Sequence, residues 1–495
     1  SSFLENKFLL SFAKTLNNTK VSLNTEYNLF ENRIDNNGDG YTDIPNYNRF
    51  ILLNRWHLDP GKNFHIELTG RYLYEDRFGG QLNWDADKHR GGNVVYGESI
   101  YTNRQEFMAK IDKKINNDLR FESNISEFYH NQNSFYGTNS YNADQFSVYG
   151  DALLFWKNSV RSSFIFGSGY KFERYDDNTP ATLSFADSTL NAPANYHIYS
   201  VFAQNEFSIL QNLNTSIGLR YNYHNIQNSI WQPRFSIKYN PLDYTALRFS
   251  FGTGFRTVNI FSEDHGALTG TRQVVIDGNL SPEKSINFSG SIIQDFDFGN
   301  QFMRLSIDVS YTRFSNQIIP DYDTDPNKII YQNLNGFSIS RGISAVAEYQ
   351  FSFPMKFKVS YDFLESYKEN TDGYRETLFF NPKHRINLDL SYNFRNINLD
   401  INLLGKYIGT QKLPLFENPV PRPTESTPYS IWNIQLRKTL GDFVLSAGIE
   451  NIFNYKQDSP LIDPQNPFGN YFDTIYIYGP LEGRKFVFGF HFDIH

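Results

Sequence analysis

The sequence predicts an all-β chain, a transmembrane antiparallel β-barrel of about 22 strands. Three observations carry that reading. Segments of about ten residues alternate between apolar and polar side chains. Aromatic residues are abundant: 46 Phe, 33 Tyr and 5 Trp make 17% of the 495 residues. Mean hydropathy is nevertheless −0.51, and no run approaches the roughly 18 apolar residues of a membrane helix. A barrel reconciles the three. Only every second residue faces lipid, the others face a wet lumen, and aromatic girdles sit at both interfaces.

The alternation is clearest in Met303–Thr312, where Met303, Leu305, Ile307, Val309 and Tyr311 oppose Arg304, Ser306, Asp308, Ser310 and Thr312. Around Thr215–His224, Ile217, Leu219, Tyr221 and Tyr223 share one face, and Ser216, Gly218, Arg220, Asn222 and His224 the other. The last segment places Phe486, Phe488, Phe490, Phe492 and Ile494 opposite Lys485, Gly489, His491 and Asp493, with Val487 the one apolar exception. A soluble sandwich also alternates. Here, however, charges such as Arg220, Arg304 and Asp308 stand in mid-strand on the wet side. Such charges are costly in lipid, which directs them inward.

Connection lengths also alternate. Short turns are expected at Asn17-Asn18, Pro60–Asn63, Asn116–Asp118, Gln211-Asn212, Leu242-Asp243, Gly299-Asn300, Asn396 and Gly441-Asp442. Longer loops fall between them, such as Gln81–Ser99, Thr179–His197, Ser262–Lys284 and Leu415–Tyr429. Short periplasmic turns and long outer loops are the bacterial pattern. Counting back from a last strand that ends in the periplasm gives about twenty-one strands, the first near Asn6–Leu16 and running downward. Even parity then places one upward strand ahead of residue 1. A plug domain is expected upstream of this segment too, since barrels of about 22 strands are plugged. Residues 1–495 form a single barrel domain on this reading.

The formal charge of −7 offers no basic face for nucleic acid. There is no cysteine, hence no disulfide, thiolate metal site or cysteine nucleophile. No nucleophile constellation or acid–base pair emerges, so the chain is expected not to be an enzyme. His491 and His495 have the H-x-x-x-H spacing, but in a strand they sit about 13 Å apart, too far to share one metal.

Several ordered segments resemble one family. Gly254-Phe255-Arg256-Thr257-Val258-Asn259-Ile260-Phe261 is similar to a strand end of TonB-dependent outer-membrane receptors, with Val258 where proline is common. Asn279-Leu280-Ser281-Pro282-Glu283-Lys284-Ser285 follows its loop as in those receptors. Ala203-Gln204-Asn205-Glu206, Gly448-Ile449-Glu450-Asn451-Ile452-Phe453-Asn454 and Arg484–His495 resemble further family segments, although His495 follows the usual terminal residue. The loop Phe261–Gly270 resembles a sub-group for cobalamin, haem or ferric siderophores. The resemblance implies ligand capture by outer loops, then passage driven by the TonB complex through an unseen N-terminal segment.

The sharpest local motif is Asp35-Asn36-Asn37-Gly38-Asp39-Gly40-Tyr41-Thr42-Asp43. Side-chain oxygens recur at relative positions 1, 3, 5 and 9, glycine stands at 6, and the Tyr41 carbonyl falls at 7. That is the oxygen spacing of a calcium loop, so Asp35, Asn37, Asp39, Tyr41 and Asp43 are candidate Ca²⁺ ligands. Position 12 is Asn46 in place of the bidentate Glu. The bland alternative is a polar loop built on Asn-Gly and Asp-Gly turns. Calcium would brace an outer loop here and do no chemistry.

Two mixed patches are candidates for ligand contact: Trp84, Asp85, His89 and Arg90, and Glu263, Asp264 and His265. Aromatics with charges suit a bulky chelate, and equally a solvated loop or lipopolysaccharide contact. The expected function is import of a bulky nutrient such as a ferric siderophore, haem or cobalamin across the bacterial outer membrane. The expected surroundings are outer-membrane lipid and lipopolysaccharide. The alternative is a plugless barrel serving as a structural or assembly subunit of an outer-membrane complex, with a surface lipoprotein or membrane partner.

Overall fold

A computed structural model describes residues 3–184, 187, 189–257, 272–278, 280–325 and 328–492. Its strands are β1 (Asn6–Leu16), β2 (Thr19–Phe30), β3 (Asn46–Gly61), β4 (Phe64–Gly80), β5 (Gly97–Lys114), β6 (Leu119–Tyr136), β7 (Asn139–Ser159) and β8 (Ser162–Asp177). There follow β9 (Ala194–Leu210), β10 (Leu213–His224), β11 (Asn228–Leu242), β12 (Thr245–Arg256), β13 (Gln273–Ile276), β14 (Glu283–Asp297), β15 (Phe302–Ser315), β16 (Ile318–Asp321) and β17 (Lys328–Asn333). The last are β18 (Gly336–Gln350), β19 (Met355–Asn370), β20 (Arg375–Thr377), β21 (His384–Phe394), β22 (Leu399–Ile408), β23 (Tyr429–Leu440), β24 (Phe443–Glu450) and β25 (Lys485–Phe492).

One 22-stranded sheet holds all of these except β13, β16 and β17, which form a separate three-stranded sheet in the loops. The large sheet counts the three-residue β20, so twenty-one strands make the wall. That is the number the alternation predicts. Every neighbouring pair in the wall is antiparallel, for example β1 with β2 and β24 with β25. An odd number of antiparallel strands leaves β1 and β25 pointing the same way. Among the described residues these two are not hydrogen-bonded to each other as strands. They are bridged at one end, where Lys485 Nζ lies 3.0 Å from Glu5.

The two faces divide as the period requires. Ile217, Leu219 and Tyr223 on β10 and Ile307 and Val309 on β15 are exposed apolar side chains, which only lipid makes inexpensive. The opposite face is polar. Arg304 grips the Asp295 carboxylate through Nε and Nη2 at 2.6 and 2.7 Å. Arg71 and Arg104 both reach Glu106, and Arg120 reaches Asp112 and Glu122.

The wall is not level. Strands β3 to β9 run 16 to 21 residues, whereas β24 and β25 have 8. A tilted strand crosses the bilayer in about 9–11 residues. The long strands therefore rise above the membrane on one side. The connections bear out short turns at one end, but the outer end is mixed. Gly137-Thr138 alone joins β6 to β7, while residues 451–484 join β24 to β25.

Candidate functional site

The outer loops pack into a cap against the inner face of the tall wall. Tyr136, Tyr141 and Tyr175 near the outer ends of β6, β7 and β8 meet Tyr322, Ile329 and Tyr331 from the loops, all buried. The hydroxyls of Tyr141 and Tyr175 are 2.7 Å apart, and Tyr175 donates to Asp177 at 2.7 Å. A second nucleus joins Tyr41, Tyr96, Leu461 and Phe472. A third joins Leu413, Phe416, Ile462 and Tyr476.

The 451–484 loop is the keystone. Gln457 is 1% exposed. Its Nε2 donates to the Tyr476 carbonyl at 3.0 Å, and its Oε1 accepts from the Tyr478 and Gly479 amides at 2.7 and 2.8 Å. Arg272 lies against Asp473 with Nε to carboxylate at 3.2 Å, both side chains nearly fully buried. The same guanidinium stacks 4.7 Å over the Phe416 ring and donates to the Tyr322 carbonyl at 2.9 Å. Burial pushes the Asp473 carboxyl up despite that neighbour.

The predicted calcium loop lies between β2 and β3. Its acidic side chains fold back on its own amides. Asp35 accepts from Gly38 at 2.7 Å and from Gly40 at 3.0 Å, and Asp39 accepts from Tyr41 at 2.9 Å. Gly38 and Gly40 adopt φ of +77° and +86°, which a side-chain-bearing residue would resist. Asp43 accepts the Asn36 amide at 2.6 Å through Oδ2, while its Oδ1 is buried without a hydrogen-bond partner. Burial, reinforced by Asp35 and Asp39, raises the Asp43 carboxyl to about 6. Asp39 is raised by the same cause. The Tyr41 ring anchors the loop: it stacks on Phe472 at 6.1 Å, and its hydroxyl donates to the Pro464 carbonyl at 2.9 Å. An orphaned carboxylate oxygen beside two more carboxylates fits a hard cation. Asn46 at position 12 turns its Nδ2 to the Asn32 carbonyl at 3.0 Å, so it braces the loop end.

The first mixed patch is occupied by its own fold. Trp84 is buried and stacks on Phe78 at 4.3 Å, with Arg33 donating to its carbonyl at 2.7 Å. Asp85 caps the one-turn helix Ala86–His89 by accepting the Asp87 amide at 3.0 Å. His89 Nδ1 accepts the Asp85 amide at 2.9 Å. The Arg90 guanidinium lies between the rings of Tyr101 and Phe135 at 4.4 and 4.6 Å, and donates to Ser99 at 2.9 Å. The Asp85 side chain stays 43% exposed. Glu263, Asp264 and His265 lie outside the described residues.

Sequence reasoning missed one cluster, His57, Asp59 and His65, at the turn end of β3 and β4. Among the described residues these are the only three His, Cys, Asp or Glu side chains with ligand atoms all within 4.8 Å of one another.

Residues 8–452 match the family described as TonB dependent receptor-like, beta-barrel. No curated protein is significantly similar in sequence. The fold is similar to that of the siderophore receptor PirA from Acinetobacter baumannii, at 14% identity and a TM-score of 0.75, over 99% of this chain and 77% of that one. It is similar to a mutant ferric enterobactin receptor, PfeA, from Pseudomonas aeruginosa in complex with enterobactin, at 12% identity and a TM-score of 0.76, over 99% and 78% of the two chains. The FrpB iron transporter from Neisseria meningitidis matches at 12% identity and a TM-score of 0.73, over 99% and 79%.

Proposed function

The chain belongs to the TonB-dependent receptor family of outer-membrane β-barrels, and from that premise we propose that it takes up iron as a ferric siderophore. The observation that carries the reading is the family match over residues 8–452 together with the likeness to siderophore and iron receptors along the whole wall. Family and neighbours are receptors and transporters, so the reading asks for binding and passage and not for bond chemistry. The outer cap supplies the recognition surface. Its tyrosine-rich nuclei hold loops of many strands in one body, which presents a preformed face to a bulky chelate. In this reading Asp85 and His89 border the ligand together with Glu263, Asp264 and His265, while Trp84 and Arg90 fix the loop that carries Asp85 and His89. Passage is energised by TonB.

The test is binding by the purified chain in detergent, read by quenching of its tryptophan fluorescence. A catecholate ferric siderophore should quench saturably, and the iron-free siderophore more weakly. Saturable binding of haem or cobalamin, with none of any ferric siderophore, would replace the ligand class.

We further propose that calcium binds the Asp35–Asp43 loop through Asp35, Asn37, Asp39, the Tyr41 carbonyl and Asp43. The unpartnered buried oxygen of Asp43 favours it. Calcium would supply the charge that three neighbouring carboxylates need and so brace the cap at Tyr41. ⁴⁵Ca²⁺ retention by the wild-type chain and its loss in Asp43→Asn tests the assignment.

A further inference from the structure

The geometry points to a second metal site, independent of the calcium loop and of the siderophore reading. It is a site for a divalent transition cation of the zinc class at the periplasmic mouth of the lumen, formed by His57, Asp59 and His65.

The argument begins with the register. In a strand, residues two apart share a face, so His57 and Asp59 point the same way from β3. On β4, His65 and Glu67 do likewise, and His57 pairs directly with Glu67. Leu58 pairs with Ile66, and the same register carried one residue further sets Asp59 opposite His65; it shifts only toward the turn, before Gly61–Phe64. Two imidazoles and two carboxylates thus meet on one face of one hairpin. That face is the lumenal one. On β3 it also carries Arg49, whose partner is Glu75, and on β4 Arg71, whose partner is Glu106. The hairpin turn is two residues long, Lys62-Asn63, which marks the periplasmic end.

The distances suit a small ion. His57 Nε2 lies 3.3 Å from Asp59 Oδ1, and His65 Nδ1 contacts the same oxygen. A tetrahedral zinc at about 2.1 Å from each ligand needs ligand atoms about 3.4 Å apart. The carboxylate is therefore already close to both imidazoles, and only the two rings, stacked 6.0 Å apart, have to turn toward a common centre. The far nitrogen of His57, Nδ1, lies 3.3 Å from Glu67. A carboxylate on the far nitrogen is what orients a metal-binding histidine and strengthens it as a ligand. The backbone is held too: the Asp59 amide donates to the Asn18 carbonyl in the β1–β2 turn at 2.8 Å.

The charges agree with a cation. Asp59 and Glu67 are acidic. Lys20 faces the cluster from β2, in register with His57. Asp112 stands opposite His65 on β5 but is held by Arg120 at 2.7 Å. The three side chains are 32 to 50% exposed, so a hydrated ion can enter and a water can complete the shell. Imidazole with carboxylate selects a borderline transition cation over calcium or magnesium, which prefer oxygen alone.

The test uses the full chain without a histidine tag, in detergent micelles, with Co²⁺ as spectroscopic probe and Zn²⁺ as competitor. The expected result is one Co²⁺ per chain, with the intense visible absorption of a low-coordinate nitrogen-ligated ion, displaced by Zn²⁺. H57N/H65N should weaken binding by roughly 100-fold or more, since even orienting partners of a ligand are worth 10–100-fold. His491→Asn, on β25, should leave it unchanged. A folded H57N/H65N chain that binds Co²⁺ as tightly as the wild type overturns the site. A second measurement needs no variant. Zn²⁺ should protect His57 and His65 of the wild-type chain from diethyl pyrocarbonate, read by mass spectrometry, and equal modification with and without Zn²⁺ also overturns it.

Discussion

The wall and the cap use the same aromatic and charged residues by opposite rules. In the wall, apolar side chains point out and stay exposed, as Ile307 at 45% and Phe488 at 73% do. Its ion pairs, such as Arg304–Asp295, sit on the wet side, with the arginine 46% exposed. In the cap, apolar side chains point in, and Phe472 and Ile462 are 1% exposed. Its ion pair Arg272–Asp473 is dry. The wall is stabilised by register and by lipid, the cap by tertiary contacts in the manner of a soluble core. Damage should therefore stay in the region where it is made.

The largest effect is expected at Arg272. Arg272→Ala leaves the Asp473 carboxylate buried beside no cation, which typically costs about 3–5 kcal/mol. The loss should fall on the cap. Limited proteolysis should open the 451–484 loop, while the folded barrel still resists SDS at room temperature. If the barrel itself unfolds with the cap, the two regions are one cooperative unit and the contrast fails.

Next in size is the mirror experiment in the wall. Ile307→Arg puts a charge on the lipid face and should destabilise the barrel by about 2–4 kcal/mol. Denaturant unfolding in lipid vesicles measures it. The cap loops should keep their protease resistance until the barrel melts. Ile307→Arg without effect would mean that this face does not meet lipid.

The contrast also explains what could be read beforehand. A period of two is a local signal, so twenty-one strands and their inward charges, Arg220, Arg304 and Asp308 among them, were legible. The Asp35–Asp43 turn between two strands was legible as well, because its Asn, Asp and Gly residues are contiguous. The cap was not. Tyr136, Tyr141 and Tyr175 alternate like any wall residue, and only the height of β6 to β8 above the membrane turns them into core. Trp84 and Arg90 have the composition of a ligand patch, yet their partners Phe78, Tyr101 and Phe135 belong to neighbouring strands and are set by register. The His57–His65 pair escaped notice for the same reason. An eight-residue separation has no meaning as a spacing until the β3–β4 hairpin folds it together.

Calcium on the Asp35–Asp43 loop, if bound as proposed, should give a smaller effect, of about 2.7 kcal/mol at a hundredfold excess of ion over its dissociation constant. In chelator the pH dependence has a definite sign. The folded Asp43 carboxyl protonates near 6, against an ordinary value of 3.8. The neutral form is therefore favoured by the fold, fully below 3.8, and that contribution is lost as pH rises through about 6. The loop between β2 and β3 should resist protease better at pH 5 than at pH 7.5. Calcium at pH 7.5 should restore resistance, and Asp43→Asn should hold it at both pH values without calcium. Identical cleavage at the two pH values would detach Asp43 from loop stability.

The smallest effect is expected inside the wall. Arg304→Ala removes a bidentate pair with good geometry, at 2.6 and 2.7 Å. Its arginine is half exposed to lumenal water, and exposed pairs contribute roughly 0.2–1 kcal/mol. The released Asp295 is only 19% exposed but stands on the same wet face, where water can replace the guanidinium. Unfolding of Arg304→Ala in vesicles should therefore differ from wild type by less than about 1 kcal/mol, and raising the salt concentration should shrink the difference further. A loss comparable to that at Arg272 would mean the lumenal face beside β15 is covered and dry, and the wall there would have to be reclassed with the cap.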